Sequence, residues 1–346
     1  MNILTVEYAG QRVDVLELMR HILTHKVASR YSPWFFTYYE DLTGPAYMSK
    51  YMRFLRGLLA LVPGGIRGRR VLDAGCGFGI MATLTALLGA GEVYGLDCHE
   101  GMIDTFETYL RILPFSLPVY PAVGDVAAMP YPDASFDVVL SHEAISHYAD
   151  VENFIREAYR VLRPGGALVI SDSNNALNPR VVRETWEIWE AFEEGPAGVQ
   201  VHGHRIERPF VEQRAALIGR DFPDLSSEEV ALLARHTSGL WGEGLRQAVQ
   251  EYLRTKQLPP HRYQRGTCPV DPVQGYYIER LFDPYDLARD LEKQGFRVKL
   301  WAYLGGARGG LLALANAILT WRPFTPFVLR FARAFRLLAL KDGGRA

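Results

Sequence analysis

A doubly wound α/β fold, built on a mostly parallel sheet with helices on both faces, is predicted by three features of this sequence. From Arg70 to about Asn175, short apolar runs alternate with segments of helical periodicity. The runs are almost continuously apolar, as expected of strands covered on both faces. The intervening helical segments stop at glycine or proline, the residues that end helices.

Within this core the runs "VLDAG", "EVYGLD", "VYPAVGD", "FDVVLSH" and "ALVISD" read as strands. The segments "IMATLTALLGAG", "EGMIDTFETYLRIL" and "VENFIREAYRVLRPGG" read as helices ending respectively in glycines, at Pro114 and in a Pro-Gly-Gly turn. Residues 1–69, rich in aromatics and helical in spacing, are expected to form an N-terminal helical cap. Residues 176–280 show helical stretches broken by Pro and Gly and no strand pattern, which predicts a helical insertion. Residues 281–305 carry a helix with a glycine stop and a strand that returns to the core sheet, and 306–346 form a basic tail. In that tail "TPFVLRFARAFRLLAL", projected on a helix, sets Phe327, Phe331, Phe335 and Leu338 opposite Arg330, Arg333 and Arg336. Such a helix suits an anionic membrane surface or the docking of an apolar face. Peripheral membrane contact through it, with help from the apolar "GGLLALANAILTW", is therefore one expectation.

Composition narrows the function. A chain of 346 residues with 48% hydrophobic and 22% charged residues can bury a large core. A formal net charge of -1 argues against a general nucleic-acid binder, which needs clustered cations. The first residues have neither the cationic start nor the apolar run of a secretory signal, and no stretch has the roughly 20 apolar residues that span a bilayer. A cytoplasmic location is expected. Cys76, Cys98 and Cys268 are scattered, so neither a disulfide framework nor a zinc site is predicted. "HGH" at residues 202–204 lacks an obvious third ligand, and no metal is expected there.

The chemistry concentrates in "VLDAGCGFGI", residues 71–80. A dinucleotide fingerprint would need a third glycine where Ile80 stands. Instead Gly75, Gly77 and Gly79 form G-x-G-x-G, and Asp73 precedes them on the strand. A carboxylate there repels a pyrophosphate but can receive an ammonium group, which favours a zwitterionic ligand.

"VLDAGCGFG" resembles the first motif of class I S-adenosylmethionine-dependent methyltransferases, whose core is Rossmann-like. The family's other pieces follow in order over about a hundred residues. Asp97, ending "VYGLD", resembles the acid that accepts both ribose hydroxyls. Gly124 and Asp125 resemble the adenine site, with Val126 offering its backbone N–H. "FDVVLSHEAISHYAD" and "FIREAYRVLRPGGALVISD" resemble the fourth strand, its helix and the turn into strand five. The resemblance implies S-adenosylmethionine as cofactor, held by Asp73, Gly75, Gly77, Gly79, Asp97, Cys98, Met102, Asp125, Val126 and Ser141. It also implies a small-molecule, glycan or lipid-like acceptor, with a non-catalytic cofactor-binding sensor or scaffold as the alternative.

Acceptor chemistry points to "SHEAISHYAD". His147 falls where the resembling family often has a histidine facing the pocket, and His142 and Glu143 lie nearer the strand tip. If residues 143–147 form a helical turn, Glu143 and His147 are four apart and can pair, raising the imidazole's basicity. Tyr38, Tyr39, Trp186 and Trp189 are candidates for lining the acceptor pocket, although core packing is the commoner use of such side chains.

Overall fold

The computed structural model describes residues 3–304 and 324–343, and it divides into two compact units. The first comprises residues 1–145, 150–173 and 284–346; the second comprises 146–149 and 174–283.

The first unit holds a seven-stranded sheet. Its strands are β3 (Arg70–Ala74), β4 (Glu92–Asp97), β5 (Val119–Val123), β6 (Phe136–His142), β7 (Leu162–Asp172), β10 (Phe296–Tyr303) and β11 (Ala334–Lys341). They lie in the order β10-β11-β7-β6-β3-β4-β5. The five strands from β7 to β5 are parallel, while β11 runs antiparallel to both β7 and β10. The doubly wound, mostly parallel sheet expected from the apolar runs is thus present. Chain order reverses between β3 and β6, so the switch point where ligands of open α/β sheets bind lies between these two strands.

Helices α4 (Ile80–Leu87), α5 (Glu100–Leu110), α6 (Val151–Val161) and α11 (Pro284–Lys293) flank the sheet, and α1 (Val15–Thr24), α2 (Pro33–Tyr39) and α3 (Pro45–Leu59) precede it. Every residue of α4 is buried, because its sequence is apolar on all sides. α6 is strongly two-faced, buries Phe154, Ile155, Ala158 and Val161, and is capped by Asp150, whose Oδ1 accepts from Asn153 N at 2.9 Å.

Three expectations are corrected here. The N-terminal cap is not helical throughout, since it opens with a hairpin of β1 (Thr5–Tyr8) and β2 (Gln11–Asp14). Ala9 and Gly10 both take positive φ, as a two-residue hairpin loop requires. The Pro-Gly-Gly after α6 is part of β7: between the pairs Phe136–Leu162 and Val138–Ala167, the residues Arg163–Gly166 form a bulge. The largest correction concerns the tail. Only Thr325–Leu329 is helical (α12), and residues 334–341 are β11, a strand inside the sheet. Phe335 and Leu338, assigned to an exposed membrane face, are buried in the ladder with β7 and β10. The predicted C-terminal membrane helix therefore does not exist in this region, and "GGLLALANAILTW" lies outside the described residues. Among the described residues no helix is long and apolar enough to cross a membrane.

The second unit is mainly helical, with α7 (Pro179–Glu194), α8 (Phe210–Asp221), α9 (Ser227–Arg235) and α10 (Gly242–Thr255). A short hairpin of β8 (Val199–Val201) and β9 (His204–Ile206) interrupts the run, which the absence of a strand pattern had not predicted. Its core gathers Ile218, Leu233, Leu245 and Val249. Beside it Arg214 of α8 is fully buried against Glu193 of α7, and its Nε donates to the Ala234 carbonyl at 2.9 Å.

Candidate active site

The cofactor half of the site is built by β3, β4 and the loop between β3 and α4. Asp73 sits one residue before the end of β3, in register with Gly95 of β4. Only 2% of it is exposed, and its Oδ2 has no hydrogen-bond partner. Burial, and secondly the charge of Asp97, push its carboxyl up to about 7. A buried carboxylate oxygen without a donor is costly unless something supplies one.

The loop that follows is left-handed at all three glycines, with φ of 69° at Gly75, 52° at Gly77 and 70° at Gly79. Gly75 N and Cys76 N both donate to the Leu96 carbonyl, at 2.8 and 3.1 Å, which fastens the loop to β4. Asp97 completes the fastening, because its Oδ2 accepts from Gly77 N at 2.8 Å and its Oδ1 from His99 N at 2.9 Å. A Cβ on Gly77 would stand 3.7 Å from the Met102 sulfur, so Met102 lies along the loop. Gly79 behaves differently. A Cβ there would fall 2.0 Å from the Phe106 ring, so this glycine serves helix packing as much as any ligand.

Asp125 is exposed after β5, with Oδ1 accepting from Ala127 N at 2.8 Å, and Val126 beside it is buried. Ser141 is buried near the tip of β6, and Cys98 is exposed just beyond Asp97. An aromatic group borders the loop: the rings of Phe35, Tyr38 and Tyr39 stand 5.2, 6.2 and 6.1 Å from Phe78. Burial, followed by the charges of Tyr51 and Asp73, raises Tyr39 well above the usual phenol range. S-adenosylmethionine fits these residues: the bare loop admits a close approach, and the unpaired Asp73 Oδ2 matches an ammonium donor.

The acceptor-side candidates separate. His142 stays in the first unit, where its Nδ1 donates to the Ser171 carbonyl at 3.3 Å. Its imidazole is held down to about 4, by burial and by the nearby Arg336 cation, so it is neutral at physiological pH. Glu143 has φ of 48° and accepts through Oε2 from Ser173 N at 3.1 Å and Ser173 Oγ at 2.6 Å. The predicted helical turn over 143–147 is therefore absent, since a left-handed Glu143 cannot begin it and the 3-10 turn covers only Ile145–His147. The Glu143–His147 pairing built on that turn is corrected accordingly.

His147 belongs to the second unit, where it meets a carboxylate that sequence spacing could not reveal. Its Nδ1 donates to the Tyr277 carbonyl at 2.9 Å, and its Nε2 lies 3.8 Å from Glu279 Oε1. Glu279 has φ of 56°, a conformation side chains seldom adopt, and its Oε2 accepts from Asn174 Nδ2 at 2.5 Å. In the same unit Trp189 is buried with Nε1 on the Ile278 carbonyl at 2.6 Å. Trp186 is half-exposed and lines an open groove with Pro179, Val182 and Arg265. His202 Nε2 is paired with Glu187 at 2.5 Å. Among the described residues no cluster could hold a metal ion.

Fold and site together define a cofactor-binding α/β protein with an acid at each of two neighbouring strand tips. Comparison with known proteins specifies the class. A methyltransferase-domain family model matches residues 72–170. A probable S-adenosylmethionine-dependent methyltransferase of Mycolicibacterium smegmatis is 41% identical over 34% of this chain and 46% of its own length. The 27-O-demethylrifamycin SV methyltransferase of Amycolatopsis mediterranei is 37% identical over 61% of this chain and 76% of its own length. The 2-methyl-6-phytyl-1,4-hydroquinone methyltransferase of Synechocystis is 35% identical over 35% of this chain and 37% of its own length. The chain thus spans less than half the length of two of these relatives and about three quarters of the third. It belongs to the class I S-adenosylmethionine-dependent methyltransferases, and S-adenosylmethionine is its cofactor.

One consequence concerns Asp97, whose carboxylate holds both Gly77 N and His99 N. Replacing it with Ala removes two charge-assisted hydrogen bonds, each worth about 1.5–3 kcal/mol. S-adenosylhomocysteine binding measured by calorimetry is expected to weaken by about 100-fold or more.

Proposed function

We propose that this protein transfers the methyl group of S-adenosylmethionine to a small-molecule or lipid-like acceptor. The observation that carries the reading is the buried Asp73 with its unpaired Oδ2, set beside the loop that Asp97 fastens. The acceptor class is supported by relatives named for a rifamycin, a phytyl hydroquinone, demethylmenaquinone and a sterol.

When bound, the cofactor supplies an electrophilic methyl carbon on a sulfonium. The chain's part is to bind, orient and exclude water, since an in-line displacement depends on geometry. Asp73 receives the ammonium group, Asp97 the ribose hydroxyls and Asp125 the adenine amine. The aromatic group of Phe35, Tyr39 and Phe78 keeps water from the loop. His147 is the candidate proton acceptor of this scheme, its ring oriented by the contact of Nδ1 with the Tyr277 carbonyl. His142, neutral and with Nδ1 committed, orients rather than ionises. The three free thiols Cys76, Cys98 and Cys268 fit a reducing compartment, and we read the cytoplasm as the location.

Incubating a cell extract with the protein and an isotopically methyl-labelled donor tests the reading. One acceptor is expected to gain a labelled methyl by mass spectrometry, and the gain should fall at least about tenfold with His147→Ala. If neither S-adenosylmethionine nor S-adenosylhomocysteine gives heat of binding, the reading fails.

A further inference from the structure

Arg336 is a buried cation whose burial neither the fold nor the cofactor site explains. It lies near the start of β11 and is only 8% exposed, yet its Nε and Nη2 have no hydrogen-bond partner. Its guanidinium carbon stands 3.8 Å from the Tyr303 ring centre and 5.0 Å from that of Phe54. Those rings attract the cation but accept no hydrogen bond in its plane. Burial accordingly draws the guanidinium's pKa down, with no carboxylate opposing it. Residues 305–323, which join β10 to α12, contain neither Asp nor Glu that could serve as counter-ion. His142, the nearest titratable group on β6, is neutral and adds no negative charge.

The surroundings show what is lacking. Nε and Nη2 form one edge of the guanidinium, the two-donor fork that matches a carboxylate or a phosphate. Arg336 is directly paired with Ser171 of β7, and Ser171 in turn with His142 of β6, so the three side chains share one face of the sheet. The Ser171 hydroxyl is also buried without a hydrogen-bond partner. Among the described residues, three buried polar atoms on this face of the sheet, Arg336 Nε and Nη2 and Ser171 Oγ, are thus without a hydrogen-bond partner. Beside them the last turn of α3 carries an exposed glycine, Gly57, where a Cβ would lie 3.7 Å from Arg336 Nη1.

We propose that Arg336 and Ser171 form an oxyanion subsite that takes a carboxylate or phosphate group carried by the acceptor. It lies at the carboxyl ends of β6 and β7, across the switch point from the cofactor acids of β3 and β4. The assignment to an acceptor rests on the methyl-transfer reading, whereas the anion site itself does not.

The test uses the whole protein labelled with nitrogen-15, with the Arg336 Nε–H resonance assigned from its loss in Arg336→Lys. Benzoate and inorganic phosphate are titrated separately, against sodium chloride at matched ionic strength. A saturable shift with benzoate alone identifies a carboxylate ligand, with phosphate alone a phosphate ligand, and with both the shared chemistry. By calorimetry Arg336→Met should bind the active anion at least about tenfold more weakly while holding S-adenosylhomocysteine as the parent does. If that variant does not fold, Ser171→Ala, which removes the hydroxyl half of the subsite, should weaken anion binding and keep the cofactor product. A resonance unmoved by either anion, with Arg336→Met melting higher than the parent, would mean a buried cation held by rings and water, and would overturn the proposal. A protein that binds the anion but not S-adenosylhomocysteine would keep the subsite and sink the methyl-transfer reading.

Discussion

Replacing Asp73 with Asn is expected to make the free protein more stable at pH 8 while stripping it of cofactor affinity. The carboxyl is buried and raised from 3.8 to about 7 by burial and by the charge of Asp97. An acid whose pKa is higher in the folded state binds its proton more tightly there. Its contribution to stability is therefore fully present below pH 4 and is lost as the pH rises through about 7. A shift of about three units corresponds to roughly 4 kcal/mol. Asn carries no charge to desolvate, so the stability of Asp73→Asn should be nearly flat across this window. At pH 8 its thermal midpoint should exceed the parent's by several degrees. The cofactor's ammonium group reverses the balance, because a bound cation favours the ionised carboxylate. In the parent, affinity for S-adenosylmethionine should fall as the pH drops from 8 to 6, whereas Asp73→Asn should bind weakly and without that slope. Calorimetry at three pH values decides this, and a variant with parental affinity at pH 8 would show that Asp73 does not receive the ammonium. The same charge that weakens the empty protein thus prepares the site for a cation.

The parts of this arrangement that could be read in the sequence are those whose physics is local. β3, β4 and β6 are largely apolar runs, and Asp73 of β3 stands in the same short stretch as the glycines that turn the chain, with Asp97 ending β4. What could not be read depends on residues far apart in the chain. Glu279 reaches His147 across more than a hundred residues, and no spacing rule links them. β11 was obscured by its own composition. "AFRLLALK" is made largely of helix formers, and its Phe335 continues the four-residue spacing of Phe327 and Phe331. Pairing with β7 over Phe335–Leu340 and with β10 over the whole strand overrides that preference. Arg336 shows the cost of this misreading most clearly. On a helix it belongs to a solvated basic face, whereas in the sheet it is a buried cation between two rings. The N-terminal hairpin had a faint signal in "VEYAGQRV", but Ala-Gly is a weaker hairpin loop than Asn-Gly or Asp-Gly.

Gly79→Ala should unfold or severely weaken the protein, although the added methyl group need not touch the cofactor. Gly79 is the N-cap of α4 at φ 70°, and its N–H donates to the Cys76 carbonyl at 2.9 Å, closing the turn. Alanine in the left-handed region costs about 1–2 kcal/mol. The larger penalty is steric. The new Cβ would stand 2.0–2.2 Å from three carbons of the Phe106 ring, and that ring is fully buried. Phe106 stacks on Tyr109 at 5.5 Å, and a Cβ built on Gly95 of β4 would also meet it, at 2.8 Å. The ring therefore has no free direction in which to move. Overpacking of a core typically adds about 1–3 kcal/mol, for a total near 2–5 kcal/mol. In a protein of this size that predicts a thermal midpoint lower by on the order of 10 °C, or no cooperative transition at all. The double variant Gly79→Ala with Phe106→Ala separates the two causes. If the clash dominates, removing the ring should make the alanine at 79 cost only its backbone strain relative to Phe106→Ala alone, so the two substitutions would be strongly non-additive. Strict additivity would assign the loss to the loop conformation instead. Either result is read by thermal denaturation in the absence of ligand, where the cofactor cannot mask the effect.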